Sequence, residues 1–95
     1  MHCVCTKVVG SFDEMNLDPA LLRGIYAYGF EYPSAIQQRV IVPAIRGWDV
    51  IAQAPTETGR TAAIVIAVLQ RIQRDNPHCQ ALFLTLTADA ALKVK

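Results

Sequence analysis

Apolar residues recur at helical spacing soon after the start of the chain. The apolar positions of this first stripe are Leu21, Leu22, Ile25 and Tyr28. Steps of three and four residues place them on one face of a helix. Asp18 is a favourable N-cap, and Pro19 suits the first turn because its missing N–H has no partner there anyway. Gly29 fits the left-handed position that ends a helix. The pattern therefore predicts a helix from Pro19 to about residue 28.

A second helix is predicted after Pro33. Ser34 and Gln37 have the spacing of a capping box, in which the two residues satisfy each other's backbone N–H groups. The apolar positions that follow are Ile36, Val40 and Ile41. Pro43 interrupts the pattern, and a proline inside a helix kinks or ends it.

The rest of the chain alternates between short apolar runs and one longer helical pattern. Residues 50–54 and 81–86 favour β-structure, whereas residues 61–74 are apolar on nearly every face, which predicts a helix buried on a sheet. Strand, helix and strand in this order predict a parallel βαβ unit with a right-handed crossover. Residues 88–95 favour a last helix, and residues 1–16 an irregular N-terminal arm. The predicted class is α/β, with two helices followed by one βαβ unit.

Composition narrows the functional classes. The 95 residues make one domain at most, with 53% hydrophobic and 18% charged residues and a net charge of +1. The basic residues are scattered, so no electrostatic footprint for nucleic acid or for an anionic membrane is present. The longest apolar run is eight residues, too short to span a bilayer, and the head of the chain is no secretory signal. We expect a cytoplasmic protein with no membrane partner.

Histidine and cysteine gather at two places in the chain. The residues are His2, Cys3, Cys5, His78 and Cys79. Their types could ligate zinc, but their spacing matches no finger or ribbon pattern. Cys3 and Cys5 are too close for an unstrained mutual disulfide. We expect reduced, incidental thiols and no metal site of this kind.

Two stretches carry the candidate chemistry. The first is "GFEYPSAIQQ", residues 29–38, and the second is "APTETGRT", residues 54–61, between the first predicted strand and its helix. A strand, a glycine-containing loop and a helix are how a phosphate-binding loop is built. Local spacing alone favours a simpler interpretation of the first stretch, in which Ser34 and Gln37 cap a helix and Phe30 belongs to the core.

The first stretch resembles the Q motif of DEAD-box RNA helicases, of the form Gly-aromatic-x-x-Pro-Thr/Ser-x-Ile-Gln, here at residues 29–37. Phe12 stands 17 residues before Gly29, where that family places an isolated aromatic. The similarity runs from about residue 9 to residue 84 and is strongest to the members that act in translation initiation. It implies that residues 17–95 are part of a RecA-like, P-loop NTPase first domain.

The resemblance assigns roles to three residues of the first stretch. In the family the glutamine reads the adenine edge, the serine or threonine supports the loop, and the aromatic packs on the base. By position these are Gln37, Ser34 and Phe30. A primary amide offers a donor and an acceptor, which suits the N7 and N6 amine of adenine. The resemblance thus favours adenine binding over simple capping.

The second stretch departs from the family loop Ala-x-x-Gly-x-Gly-Lys-Thr. The resemblance assigns cofactor binding to Thr58, Gly59, Arg60 and Thr61, with the Thr61 hydroxyl on the magnesium side of ATP. Glu57 replaces a glycine, and a charge ~4 Å from a phosphate repels by about 4 kcal/mol at an effective dielectric of 20, roughly three decades of affinity.

Two further replacements are also expected to weaken phosphate binding by this loop. Arg60 keeps a positive charge in place of lysine but in a longer, planar fork, and Pro55 removes a loop N–H. Each change alone is tolerable, but together they predict a loop whose shape and charge no longer match a bound triphosphate. ATP and Mg²⁺ binding is therefore expected to be weakened or lost.

Other family elements are missing from the 95 residues. Where the family has Pro-Thr-Arg-Glu-Leu-Ala, this sequence keeps Thr87 but has Ala88 in place of the phosphate-binding arginine, so RNA binding is doubtful. The Asp-Glu-Ala-Asp and Ser-Ala-Thr motifs and a second RecA-like domain are absent, so we expect no unwinding by this chain alone. The alternative is a non-catalytic interaction module that meets scaffold proteins of translation initiation, or a decayed duplicate without activity. Either way we expect marginal stability, because two strands leave sheet edges uncovered.

Overall fold

Four α-helices and one short 3-10 helix make up the regular structure of residues 8–94. The computed structural model describes residues 8–94. The 3-10 helix spans Phe12–Met15, and the α-helices are α1 (Pro19–Tyr28), α2 (Ala35–Ile45), α3 (Arg60–Arg71) and α4 (Ala88–Val94). None of these helices is long and apolar enough to cross a membrane.

The ends of α1 are set by the residues that the sequence indicates. Asp18 Oδ2 accepts hydrogen bonds from Ala20 N at 3.1 Å and Leu21 N at 3.4 Å, which satisfies two of the free N–H groups of the first turn. Gly29 has φ of 115°, a conformation in which a Cβ is strained, and its N–H returns to the last carbonyls of the helix. The predicted helix and both caps are confirmed.

Helix α2 starts after Ser34 as predicted and continues slightly past its proline. Pro43 lies inside the helix and is buried, and the helix ends two residues later at Ile45. The ring removes one intrahelical hydrogen bond and crowds the preceding turn, so the helix has little reason to continue.

The core is assembled from the segment before α1 and from three helices. Its buried members are Val9, Phe12, Met15, Leu17, Ile25, Ile41, Ala63 and Ile66. Four of these eight precede α1, so the described part of the expected N-terminal arm is an integral part of the core. The 3-10 helix presents Phe12 and Met15 to that core, and Ser11 caps it by accepting from Glu14 N at 3.3 Å.

The predicted βαβ unit is absent from the described residues. Residues 50–54 and 81–86 form no strand within the range 8–94. A strand needs a hydrogen-bonded neighbour, and apolar patterning identifies a segment suited to a sheet without supplying that neighbour. Helix α3 accordingly packs on α2 and α1 rather than on a sheet. It buries Ala63, Ile66 and Ala67 and leaves Ile64 and Leu69 about half exposed.

Helix α3 is tied to the start of α1 at its far end. Asp18 N donates to Gln70 Oε1 at 2.8 Å, and Arg74 forms an ion pair with Asp18 Oδ2 at 2.9 Å. Both side chains of the ion pair are largely exposed, so the pair contributes little stability. The ion pair connects the segment just after α3 to the start of α1, at the end of α3 opposite to the candidate site.

Candidate functional site

Gln37 is the buried polar residue at the centre of the candidate site. It lies in the first turn of α2 and is 2% exposed. Its Oε1 accepts from Ser34 N at 2.9 Å, and its Nε2 donates to Gly59 O at 3.2 Å. A primary amide has two donor hydrogens and two acceptor lone pairs, so one of each stays uncommitted. The side chain therefore joins the start of α2 to the start of α3.

Ser34 completes the capping arrangement only in part. The bond from Ser34 N to Gln37 Oε1 is one half of a capping box, so the capping interpretation is confirmed for Gln37. The reciprocal contact from Gln37 N to Ser34 Oγ has the right arrangement but falls short of hydrogen-bond geometry. The Oγ is consequently a buried hydroxyl oxygen without a partner among the described residues. An unpaired buried polar atom is costly, so this hydroxyl is ready to accept or donate a bond.

Gly59 makes the close approach between the two helices possible. It is the N-cap of α3 with φ of 84°, and its carbonyl accepts from both Ala63 N at 3.0 Å and Gln37 Nε2. A Cβ added at Gly59 would collide with Gln37 Nε2 and lie 3.4 Å from Ser34 Oγ. Glycine is required here for its φ and for its lack of a side chain.

The loop before Gly59 is held closed by its own residues. Thr58 Oγ1 donates to Pro55 O at 2.6 Å, which commits the hydroxyl hydrogen to the loop itself. Glu57 has φ of 64°, a left-handed conformation that costs an L-residue roughly 1–2 kcal/mol. Its side chain is exposed. The glutamate thus occupies the backbone conformation that a glycine would adopt without strain.

Arg60 and Thr61 form the exposed first turn of α3. No side chain caps this 12-residue helix, so its first N–H groups keep their capacity to bind an anion. Both residues line an open cleft of about 430 Å³. The remaining lining residues are apolar: Ile36, Val40, Ala52, Ala63, Ile64, Leu84 and Leu86. Helix dipole, guanidinium and hydroxyl together suit a phosphate or a magnesium-bound phosphate.

Phe30 lies in an aromatic cluster with Phe12 and Tyr28. Its ring centroid is 6.4 Å from Phe12, which is fully buried, and 5.3 Å from Tyr28 with the planes only 19° apart. Tyr28 is 83% exposed, so the predicted apolar stripe of α1 is wrong at this position. Phe30 itself is half-buried. Phe30 therefore packs against Phe12 in the core and against Tyr28, and its ring is only partly accessible for packing on a base.

Asp13 and Tyr26 hold the aromatic cluster from the other side. Tyr26 Oη donates to Asp13 Oδ1 at 3.1 Å, and the Tyr26 ring meets Phe12 edge-on at 6.2 Å. Desolvation, followed by the hydrogen bond to the Asp13 carboxylate, raises the pKa of Tyr26 above its ordinary value. The contact links the 3-10 helix to α1 and so keeps Phe12 beneath Phe30.

The other candidate positions are structural or lie outside the described residues. Thr87 Oγ1 accepts from Ala90 N at 3.1 Å and thereby caps α4, which starts at Ala88. His2, Cys3 and Cys5 fall outside the described residues. Within residues 8–94, no three or more His, Cys, Asp or Glu side chains are grouped so that they could hold a metal ion.

Three contributors to this site escape the sequence analysis. The contact between Gln37 and Gly59 joins residues 22 positions apart, and no local sequence pattern predicts it. Tyr28 and Asp13 act through neighbours in space. The Tyr-x-Phe spacing of residues 28–30, at the end of α1, is the one sequence signal that indicates the stacked pair.

Comparison with known proteins gives the same family at the levels of sequence and fold. A family model described as DEAD/DEAH box helicase matches residues 34–93. The ATP-dependent RNA helicase eIF4A of Neurospora crassa is 60% identical over 89 residues, and that of Pyricularia oryzae is 58% identical. Each match covers 94% of this chain and 22% of the helicase. The chain thus spans about a fifth of the length of these curated relatives.

Solved structures agree with these matches. A DEAD box protein from the hyperthermophile Methanococcus jannaschii superposes with a TM-score of 0.87 at 32% identity, over 93% of this chain and 24% of that one. Saccharomyces cerevisiae Dbp5, in a complex with Gle1 and IP6, gives 0.76 at 38% identity over 80% of this chain and 20% of its own. The helices described above therefore have the arrangement of the corresponding part of these proteins.

Proposed function

Because this chain belongs to the DEAD/DEAH box helicase family, we propose that it forms a weak adenine-nucleotide site. Phe30 packs on the base and Gln37 reads its edge, while the first turn of α3 receives the phosphates. The residues of the phosphate side are Thr58, Gly59, Arg60 and Thr61, with the Thr61 hydroxyl facing a nucleotide-bound Mg²⁺. The proposal rests on family membership and on the geometry of these residues.

One contact carries the proposal, the hydrogen bond from Gln37 Nε2 to Gly59 O at 3.2 Å. It brings the candidate base-reading amide against the turn that opens α3. A nucleotide has its base and its phosphates at opposite ends. A site for it therefore needs the residues that bind the base and the residues that bind the phosphates to lie close together, as Gln37 and the first turn of α3 do. The unpartnered Ser34 Oγ beside them gives the same place a further polar group.

Reading a base requires Gln37 to rearrange. The amide keeps one hydrogen and one lone pair uncommitted, which is what adenine needs, but the side chain is only 2% exposed, so a base reaches these groups only after the side chain moves. We propose that the base displaces the Gly59 carbonyl from Gln37 Nε2, which frees the loop to adjust around the phosphates. Binding would then be weakened by the loss of an existing bond, and the adenine preference would survive.

The loop fits a triphosphate only in part. The uncapped N-terminus of α3, Arg60 and Thr61 suit a phosphate and its magnesium, whereas Glu57 adds a negative charge and Pro55 lacks an N–H. The curated relatives are ATP-dependent RNA helicases. For this chain we propose binding without unwinding by itself, and only doubtful RNA contact. A cytoplasmic location belongs to the same proposal.

A titration with a fluorescent ATP analogue tests the proposal. Gln37→Glu is the informative variant, because it keeps the acceptor for Ser34 N and removes the donor. We expect it to weaken binding of the adenine nucleotide and to abolish any preference over the guanine analogue. Gln38→Ala is the matched control, since Gln38 Nε2 bonds only to Pro33 O, away from the loop. Circular dichroism of each variant checks that the helices are retained.

Two outcomes would overturn the proposal. One is the absence of binding at millimolar nucleotide by a chain whose helices are intact. The other is equal binding by the original chain and by Gln37→Glu, since the site would then not depend on the amide.

The exposed apolar residues favour a second candidate, a non-catalytic interaction module. Ile51, Leu82 and Leu92 are largely exposed although they are large and apolar, and such residues mark interaction sites when they are contiguous. Its partners would be scaffold proteins that the intact initiation helicases meet. Retention of the folded chain by such a scaffold, together with no nucleotide binding, supports this candidate over the first.

A further inference from the structure

Tyr28 lies against the ring of Phe30 on the side that faces solvent. The two ring centroids are 5.3 Å apart, and the planes are only 19° from parallel. Phe12, another ring near Phe30, is fully buried, and Phe30 packs against the core that contains it, whereas Tyr28 is 83% exposed. These exposures place Phe12 on the core side of Phe30 and Tyr28 on the solvent side. A base that approaches Phe30 from solvent therefore meets Tyr28 first.

The turn after α1 fixes the backbone of Phe30. Gly29 N donates to Tyr26 O at 3.1 Å, and Phe30 N donates to Ile25 O at 3.3 Å. These two bonds are the pair that closes a helix in a Schellman motif, and Gly29 supplies the left-handed conformation that the motif needs. The backbone of Phe30 is thereby held beside the last residue of α1, which is Tyr28.

The side chain of Tyr28 is held more weakly than this backbone. Its hydroxyl forms no hydrogen bond within residues 8–94, whereas the hydroxyl of Tyr26, two residues earlier, donates to Asp13 Oδ1 at 3.1 Å. The side chain of Tyr28 is therefore kept in place by its stack on Phe30. Such a stack is worth only a small multiple of the thermal energy. Tyr28 can consequently leave the ring of Phe30 without disturbing α1.

We propose that Tyr28 regulates the nucleotide site by competing with the adenine base for the ring of Phe30. This inference rests on the proposed function, since it takes Phe30 as the ring on which the base packs. While Tyr28 is stacked, the ring is covered, and the base binds only the fraction of molecules in which Tyr28 has moved away. The apparent dissociation constant rises in inverse proportion to that fraction. A stack of ordinary strength therefore weakens base binding by about two- to tenfold.

Titration with adenosine, which has a base and no phosphates, tests this competition separately from the phosphate loop. NMR chemical shifts measure the affinity of the unaltered chain, of Tyr28→Ala and of Tyr28→Phe. Tyr28→Ala removes the competing ring and should bind adenosine about two- to tenfold more tightly. Tyr28→Phe is the matched control, because it keeps the ring and should bind as the unaltered chain does. Since Tyr28 is largely exposed, neither change touches the core, and circular dichroism verifies the helices.

The NMR resonances of the two rings test where the base binds. A stacked ring shifts the resonances of its neighbour, so the Phe30 ring resonances should move in Tyr28→Ala and stay in place in Tyr28→Phe, both without adenosine. In the unaltered chain, adenosine should move the Tyr28 ring resonances toward those of an unstacked tyrosine, for which Phe30→Leu supplies the reference. A merely structural role of Tyr28 would not produce this displacement.

Failure of the competition is distinguishable from failure of the nucleotide site. Equal or weaker adenosine binding by Tyr28→Ala, with its helices intact, would overturn the competition and leave the nucleotide site standing. An equal gain in Tyr28→Ala and Tyr28→Phe, or Tyr28 resonances that stay in place while adenosine binds, would overturn it in the same way. If neither the unaltered chain nor any variant binds adenosine, the nucleotide site is overturned together with the competition.

Discussion

Two regions of the chain differ in how far they cover their own apolar residues. Residues 9–71 bury Phe12, Ile41 and Gln37 almost completely between the 3-10 helix and α1, α2 and α3. Residues 79–94 bury no side chain, although their apolar residues are as large. The first region completes a core from its own elements, and the second does not.

The difference follows from the elements that each region uses. A helix satisfies its backbone hydrogen bonds within itself and needs only one covered face. A strand needs a neighbour for its backbone as well as cover for its side chains. The helices therefore cover their apolar faces with one another, whereas residues 50–54 and 81–86 form no strand within residues 8–94.

The difference between the two regions is tested most strongly by truncating one large apolar side chain in each of them. Phe12→Ala should cost about 3–5 kcal/mol, since it empties the centre of the core. That loss rivals the whole stability of a small domain, so the helices should largely melt. Leu82→Ala should change the free energy of unfolding by less than about 0.5 kcal/mol. Urea denaturation of dilute chain, followed by circular dichroism, measures both, and similar losses would remove the distinction.

A smaller effect is expected where the packed region meets the loop. Gly59→Ala should lower the free energy of unfolding by about 2 kcal/mol or more, because its Cβ is strained at positive φ and strikes Gln37. Gly24→Ala is the control, since a Cβ at Gly24 meets nothing within 4 Å and lies inside α1. It should raise stability by about 0.5–1 kcal/mol. Changes of the same sign in both variants would contradict the close contact at Gly59.

Relief of the backbone strain at Glu57 should raise the free energy of unfolding modestly. Glu57→Gly should raise the free energy of unfolding by about 0.5–1 kcal/mol, the relief of a left-handed glutamate less the added freedom of glycine in the unfolded chain. Glu31→Gly makes the same chemical change at a residue with no positive φ and should be neutral or destabilising. Thermal or urea unfolding of the two variants side by side measures the difference. A loss of stability in Glu57→Gly would show that the strain is not there.

The smallest predicted effect depends on pH. Because the pKa of Tyr26 is raised in the folded chain, the folded state holds the phenolic proton more firmly than the unfolded state does. The corresponding stability is present below the ordinary tyrosine pKa and is lost as pH rises through the raised one. In Tyr26→Phe the free energy of unfolding should therefore depend less on pH in the alkaline range than it does in the original chain. Equal pH dependence of the free energy of unfolding in the original chain and in Tyr26→Phe would contradict the assignment.

Local rules predicted the parts of the fold that are fixed by neighbours in sequence. The Asp18 cap, the Gly29 end and the start of α2 at Ser34 each depend on hydrogen bonds within a few residues. The same rules placed the loop before α3. Helix α3 starts one residue earlier than predicted and ends three residues earlier, at Arg71, because the polar residues that follow favour other hydrogen bonds, such as that of Gln73 N with Gln80 Oε1.

The remaining features depend on contacts between distant segments. Whether residues 81–86 form a strand depends on a neighbour that no local pattern supplies. The core role of Phe12 depends on rings that follow it by 14 and 18 positions, at Tyr26 and Phe30. The bond from Gln37 to Gly59 depends on how α2 meets α3. The family resemblance suggested the residues of the candidate site, but only the packing of the helices shows which of them touch.

The most direct test of the nucleotide proposal is calorimetric titration of ATP into the unaltered chain and into the Glu57→Gly, Arg60→Lys double variant. If Gln37 and the first turn of α3 form one site weakened by the loop, the double variant should bind more tightly, by up to roughly three decades. Gln37→Glu in the double variant should then remove most of that gain. Unchanged or absent binding in the double variant, with its helices intact, would contradict the account.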